Sequence, residues 1–352
     1  MNDIKVMVVD DSAFMRKVIG DIITAQPDMR VVATARNGQE ALKLIKTVDI
    51  DVITMDVEMP IMNGLQALEK IMSEDPLPVI MLSSLTQRGA DATMKALCLG
   101  AVDFISKPSG TMGINNTAGE ITRKIKIAAA TRYRLRKQSV QPIIKKTKPI
   151  KTAISANDTP GKLVLIGTST GGPKALHEVI PKLPGNLGAA VLVVQHMPSG
   201  FTRSLAERLD RLSSLRVKEA EDGERILRGC VYIAPGDFHL KVRRSADSSN
   251  RRLMVNLTQD NLVSGHRPSV DAMLDSVVNE YWSKIITVIM TGMGQDGAKG
   301  ASWVKSKGGK VIAEDSSTCI VYGMPKAVIE TGNADKILPL QNIANAIAEM
   351  VL

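Results

Sequence analysis

A chain of 352 residues exceeds the length at which one hydrophobic core keeps growing, so two domains are expected. The composition, 44% hydrophobic and 23% charged, is that of a globular protein and excludes overall disorder. The formal net charge of +9 is local: eleven Lys and Arg, with no Asp or Glu, lie between Ile121 and Lys151, which assigns the charge to a connector rather than to a nucleic-acid surface.

No apolar run approaches the ~20 residues of a membrane-crossing helix, and Met1-Asn2-Asp3-Ile4-Lys5 lacks the order of a signal peptide, so a cytoplasmic protein without membrane insertion is expected. Cys98, Cys230 and Cys319 are odd in number and lack metal-ligand spacing, which predicts buried small hydrophobes rather than a disulfide frame.

In chain order, short apolar runs at Ile4 to Val9, Val31 to Ala35, Asp51 to Met55, Val79 to Leu82 and Val102 to Ile105 predict strands. Helical patterns such as Ala13 to Thr24, Leu65 to Met72 and Ala90 to Leu99 fall between them. This alternation predicts a doubly wound α/β domain with a parallel sheet over residues 1–130. Residues 131–160 read as a basic linker. A second parallel-sheet domain over 161–352 begins with a strand at Lys162 to Ile166 and a helix at Pro173 to Ile180. Further strands are predicted at Ala190 to Val194, Val231 to Ala234, Ile285 to Met290 and Lys310 to Ala313. His239 to Arg243 and Arg252 to Leu257 flank the polar turn Ser245 to Asn250, an antiparallel hairpin whose arginines suit a sheet edge.

In the first domain Asp10, Asp11, Asp56, Ser83 and Lys107 all follow carboxyl ends of different strands, where an open parallel sheet gathers them into one crevice. Three crowded carboxylates call for a cation, and hard oxygen ligands suit Mg²⁺. Asp56 can then accept a phosphoryl group whose oxygens Lys107 neutralises. The stretches Val8-Val9-Asp10-Asp11-Ser12, Met55-Asp56-Val57-Glu58-Met59-Pro60 and Lys107-Pro108 closely resemble response-regulator receiver domains. The resemblance implies phosphotransfer from a histidine kinase, with Ser83 as the hydroxyl that follows the phosphoryl group. Beyond Phe104 no aromatic switch residue is evident on the fifth strand.

Gly167-Thr168-Ser169-Thr170-Gly171 is a G-x-S-x-G nucleophile elbow between a strand and a helix. Ser169 needs a base, and His196 follows a strand on the same rim; His266, in a loop, is the second candidate, ahead of His177 and His239. Asp296 is the acid in Thr291-Gly292-Met293-Gly294-Gln295-Asp296-Gly297, whose backbone can also supply an oxyanion donor. The glycines fit neither a dinucleotide fingerprint nor a P-loop, and the order Ser, His, Asp departs from that of α/β-hydrolases.

Ser169-Thr170-Gly171-Gly172-Pro173, Gln195-His196-Met197-Pro198, His266-Arg267-Pro268-Ser269-Val270-Asp271 and Met290 to Gly297 resemble the chemotaxis protein-glutamate methylesterases of the CheB type. The resemblance implies Ser169, His196 and Asp296 as the catalytic set and the Met293 backbone N–H as an oxyanion donor. It further implies a γ-glutamyl methyl ester on methyl-accepting chemoreceptors as substrate, no cofactor for hydrolysis, and a CheA-type kinase as phosphoryl donor. Related members also deamidate receptor glutamines. Asp271 reads as a helix cap after Ser269. A receiver joined to a basic segment also suits a DNA-binding regulator, but no groove-reading helix pair follows; the complete triad argues against a non-catalytic adaptor.

Overall fold

Strands apolar on both faces are stable only when helices cover both sides of the sheet, and both halves of this chain are built that way. The computed structural model describes residues 3–84, 86–107, 110–135, 159–245, 252–281 and 284–351. It divides into two units, with the division after Ile144.

The first unit alternates strictly: β1 (Ile4–Val9), α1 (Ala13–Thr24), β2 (Met29–Ala35), α2 (Gly38–Ile45), β3 (Val52–Asp56), α3 (Gly64–Glu74), β4 (Val79–Ser83), α4 (Gln87–Leu99), β5 (Asp103–Ser106) and α5 (Gly110–Leu135). The sheet order is β2-β1-β3-β4-β5, with every pair parallel. Ser12, Asn37, Asn63 and Thr86 each cap the helix they precede, accepting a backbone N–H in its first turn.

Helix α5 carries the chain past residue 130, the limit read from sequence. The positive run is therefore not wholly a connector. Lys124 pairs with Asp103 at 3.3 Å and Glu120 at 3.0 Å, Lys126 with Asp28 at 2.7 Å, and Arg132 with Asp49 and Asp51. Glu120 lies one turn back on α5 itself, whereas Asp28, Asp49, Asp51 and Asp103 lie at or just before strand starts, a relation invisible to local composition. The linker reading beyond Leu135 falls on 136–158, outside the described residues.

The second unit runs β6 (Lys162–Thr168), α6 (Gly172–Val179), β7 (Ala189–Gln195), α7 (Phe201–Leu212), β8 (Arg216–Glu219), β9 (Cys230–Ile233), β10 (His239–Arg244), β11 (Leu253–Thr258), α8 (Val270–Tyr281), β12 (Ile285–Ile289), α9 (Ala298–Ser306), β13 (Lys310–Glu314), α10 (Met324–Glu330), β14 (Lys336–Leu338) and α11 (Leu340–Val351). Seven strands form a parallel sheet ordered β14-β13-β12-β6-β7-β9-β8. Its edge strands β8 and β14 are short and carry Arg216, Lys218, Glu219 and Lys336, which protects an edge from further pairing and hides both strands from an apolar-run criterion.

The hairpin β10–β11 is a separate two-stranded sheet, not an edge of the main one. Its inner residues Leu240, Val242, Leu253 and Val255 are buried with Met273 and Val277 of α8, and Val242 N donates to Ser276 Oγ at 3.0 Å. Packing on a helix supplies the cover that a main-sheet position would otherwise give. Of its turn, 246–250 lie outside the described residues. None of the three cysteines is in a disulfide; Cys230 and Cys319 are buried, whereas Cys98, near the end of α4, is only partly so.

Asn63 and Gln66 form a capping box at the start of α3, with Asn63 Oδ1 accepting Gln66 N at 2.9 Å and Gln66 Oε1 accepting Asn63 N at 3.1 Å. Asn63→Ala should destabilise the first unit by about 1 kcal/mol in urea titration. An unchanged midpoint would mean the reciprocal bonds contribute nothing to stability.

Candidate phosphorylation and hydrolase sites

In the first unit the sheet order reverses around β1 and β3, so the carboxyl ends of those strands open a crevice. Asp10 follows β1 and Asp56 ends β3; both are buried, and Lys107 follows β5 to reach them. Lys107 Nζ lies 3.0 Å from Asp10 Oδ2 and 2.8 Å from Asp56 Oδ2. One oxygen from each of Asp10, Asp11 and Asp56 falls within a 4.8 Å group. Burial pushes the Asp56 carboxyl above its ordinary value, opposed by Lys107 and reinforced by the negative charge of Asp10. Burial would lower the Lys107 ammonium, but its bonds to Asp56 and Asp10 outweigh that and hold it above the ordinary lysine value. Three carboxylates against one ammonium leave an excess of hard anionic oxygens, a donor set that fits Mg²⁺.

Ser83 ends β4 with its hydroxyl buried and donating to Gly89 O at 3.1 Å and Ser84 O at 3.3 Å. Its hydroxyl is thus tied to the start of α4 rather than to Asp56. Phe104 is buried on β5, with Lys124 Nζ 5.2 Å from its ring centroid.

In the second unit the reversal falls between β6 and β12: the chain leaves β6 for β7 on one side and β12 for β13 on the other. Ser169 follows β6, His196 follows β7 and the loop bearing Asp296 follows β12. Thr168 pairs with Gln195 across the strands, and His196 N donates to Thr168 O at 3.1 Å, so serine and histidine stand side by side on one rim. Gly171 adopts φ +80° to turn the chain into α6, a conformation that a residue with a Cβ takes only under strain. Gln195, quoted from sequence without a role, ties the two together: its Nε2 donates to Ser169 O at 2.9 Å and His196 O at 3.1 Å, and its Oε1 accepts Thr168 Oγ1 at 2.7 Å.

His196 Nε2 lies 2.8 Å from Asp296 Oδ2. His196 Nδ1 is buried and makes no hydrogen bond among the described residues, so it is the ring nitrogen not engaged by Asp296. Triad contacts often close only with substrate bound. The His266 ring stacks on that of His196, with centroids 3.9 Å apart and planes at 13°. His239 Nε2 pairs with Asn261 O at 3.1 Å, and burial drives the His177 imidazole down to about 4, with Arg208 adding repulsion.

Asp296 also accepts Ser269 Oγ at 2.8 Å, Val270 N at 2.7 Å and Asp271 N at 3.0 Å, the opening of α8. Burial opposes its charge, yet the His196 bond and these donors prevail and hold the carboxyl below its ordinary value. Asp271 does not cap its own helix as the sequence suggests: its Oδ1 accepts Gly300 N at 2.8 Å, in the first turn of α9. Burial and the neighbouring Asp296 raise its carboxyl. Met293 lies in the partly buried loop after Gly292, beside the elbow, because Ser169 N donates to Thr291 O at 3.0 Å.

These two sites define a receiver joined to a serine hydrolase whose triad order is not that of α/β-hydrolases. The CheB methylesterase model matches residues 164–347 and the response regulator receiver domain model residues 6–117. The protein-glutamate methylesterase/protein-glutamine glutaminase 1 of Syntrophomonas wolfei is 52% identical over 351 residues, covering 99% of each chain. The corresponding protein of Thermotoga maritima is 50% identical over 352 residues, 99% of this chain and 98% of that one. The crystal structure of the Thermotoga maritima CheB methylesterase catalytic domain shares 53% identity with TM-score 0.53, covering 55% of this chain and all of that one. The chain belongs to the CheB methylesterase family, with an N-terminal receiver. Among the described residues no helix is long and apolar enough to cross a membrane.

Asp296→Asn should lower turnover by about three to four decades, because an amide cannot hold the imidazole in the same tautomer. It should also weaken the start of α8. A depressed folded-state pKa contributes stability that is present above the unfolded value, here 3.8, and lost as pH falls through the folded value. Urea titrations should therefore show a deficit of about 1–3 kcal/mol at about pH 7 that narrows near about pH 3. A deficit independent of pH would contradict an ionised Asp296.

Proposed function

We propose that this protein hydrolyses γ-glutamyl methyl esters on the cytoplasmic helices of chemoreceptors, releasing glutamate and methanol, under control of phosphorylation at Asp56. The observation that carries the reading is the His196–Asp296 pair beside Ser169 on adjoining strand ends. Family membership supports the substrate class, since the full-length relatives carry the methylesterase name.

Ser169 Oγ attacks the ester carbonyl as His196 Nδ1 takes its proton. The backbone N–H of Met293 stabilises the oxyanion. The His196 imidazolium, steadied by ionised Asp296, then returns the proton to the departing methoxide oxygen, and methanol leaves an acyl-enzyme. Water, deprotonated by His196, attacks that acyl carbon, and Ser169 recovers its proton as glutamate departs. A primary amide enters the same sequence with ammonia as leaving group, which accounts for the second activity in the relatives' names.

In the receiver, Asp56 accepts the phosphoryl group from a histidine kinase, and Lys107 neutralises the transferred oxygens. Asp10, Asp11 and Asp56 would hold Mg²⁺, which supplies further charge neutralisation there. The cytoplasmic side of the membrane is where such a kinase and the receptor helices are accessible.

Ser169→Ala should reduce methanol release from methylated receptor membranes by about four to six decades, roughly 5–8 kcal/mol of barrier. Retention of more than about a tenth of the wild-type rate would exclude Ser169 as nucleophile. In the same assay acetyl phosphate with Mg²⁺ should accelerate the wild-type chain. Asp56→Asn should hold it at the basal rate, and acceleration of that variant would place the phosphoryl group elsewhere.

A further inference from the structure

A fully buried acid ends β13 beside the hydrolase site without belonging to the triad. The ladder between β12 and β13 closes at Ile289 and Ala313. Beyond it Asp315 N donates to Leu338 O of β14 at 2.8 Å. Past the end of that ladder, Thr291 N donates to the side chain of Glu314, at 2.8 Å from Oε2. The other carboxylate oxygen accepts Thr318 Oγ1 at 2.9 Å, and that hydroxyl accepts Leu340 N at 3.0 Å.

Every polar group of Thr291 is committed to this corner. Its hydroxyl donates to Thr170 O at 3.0 Å and accepts Val321 N at 3.0 Å, and its carbonyl accepts Ser169 N at 3.0 Å. The next residue, Gly292, touches the nucleophile so closely that a Cβ there would lie 2.8 Å from Ser169 Cβ. A small movement of Thr291 would thus displace both the serine and the loop that leads to Met293.

We propose that Glu314 is a positioning residue for the hydrolase, setting Ser169 and the oxyanion loop through Thr291. Burying a carboxyl is costly unless it is hydrogen-bonded, no ion pair to Glu314 is seen among the described residues, and one of its bonds goes to the backbone that carries the nucleophile. Burial raises the Glu314 carboxyl above its ordinary value, which fits a group held for its geometry rather than for surface charge. The proposal rests on Ser169 being the nucleophile.

The test uses the full-length chain, methanol release from methylated receptor membranes, and Ser169→Ala in parallel. Glu314→Ala should lower kcat by about 10- to 100-fold while KM stays within about threefold, since misplacement by ~1 Å costs on that order in the reacting geometry. Glu314→Gln keeps an acceptor for Thr291 N and should recover kcat to within about threefold of wild type. A folded Glu314→Ala with wild-type kcat, or a Gln variant as impaired as Ala, overturns the proposal. If Glu314→Ala does not fold, Glu314→Asp decides: the withdrawn carboxylate should cost at least about tenfold in kcat at unchanged KM, and wild-type turnover overturns the idea. Loss of activity in Ser169→Ala with full activity in the Glu314 variants removes this inference alone; activity in Ser169→Ala removes the nucleophile assignment itself.

Discussion

The hydrolase half depends on one buried anion held by the start of a helix. Asp296 meets the imidazole of His196, the hydroxyl of Ser269 and the first two N–H groups of α8, so that four donors converge on two oxygens. A helix N-terminus carries unpaired N–H groups and a positive end of its dipole, and both favour the ionised carboxylate that an imidazolium needs beside it. The acid sits just before α9, while Asp271 at the start of α8 caps α9 in return. The two helices are cross-braced by exchanged caps, and the orientation of the His196 imidazole bonded to Asp296 follows from that brace. Because these dipoles are fixed before substrate arrives, they need no reorganisation during the reaction.

The two units solve the same electrostatic problem differently. Both place an aspartate in a buried crevice where a parallel sheet changes winding direction. Asp296 is surrounded by N–H and O–H donors, and its carboxyl is depressed. Asp56 has one ammonium, sparse backbone donation and a second carboxylate nearby, and its carboxyl is raised. The first arrangement suits an acid that stays charged and does not react. The second fits the role proposed above for Asp56, in which a carboxylate oxygen attacks phosphorus with a cation at hand.

Much of the site was legible from strand ends alone. Asp10, Asp56, Lys107, Ser169 and His196 each stand directly beside a strand with a continuous apolar run, and parallel topology converts that local fact into convergence. The charge reading erred where it relied on composition: Lys124, Lys126 and Arg132 looked like linker and are helix residues paired with distant acids. The hairpin was found by its alternation, but its seat on α8 could not be, because nothing in β10 or β11 encodes which helix will cover them. Gln195 and Glu314 gave only weak signals, a polar residue ending an apolar run, since their roles lie in bonds to backbone brought near by pairing.

The amino-acid sequence by itself determined the two α/β units, the elbow at Ser169 and the family, because these rest on periodicity and contiguous motifs. The sequence already favoured His196 over His266 by its place after a strand; only the tertiary structure shows that His196 Nε2 lies 2.8 Å from Asp296 and that the His266 ring stacks on it. It also reassigned Asp271 from its own helix to α9 and set Ser83 against the start of α4. In each case the deciding quantity is a hydrogen-bond distance between residues far apart in the chain, which local pattern does not encode and strand pairing creates.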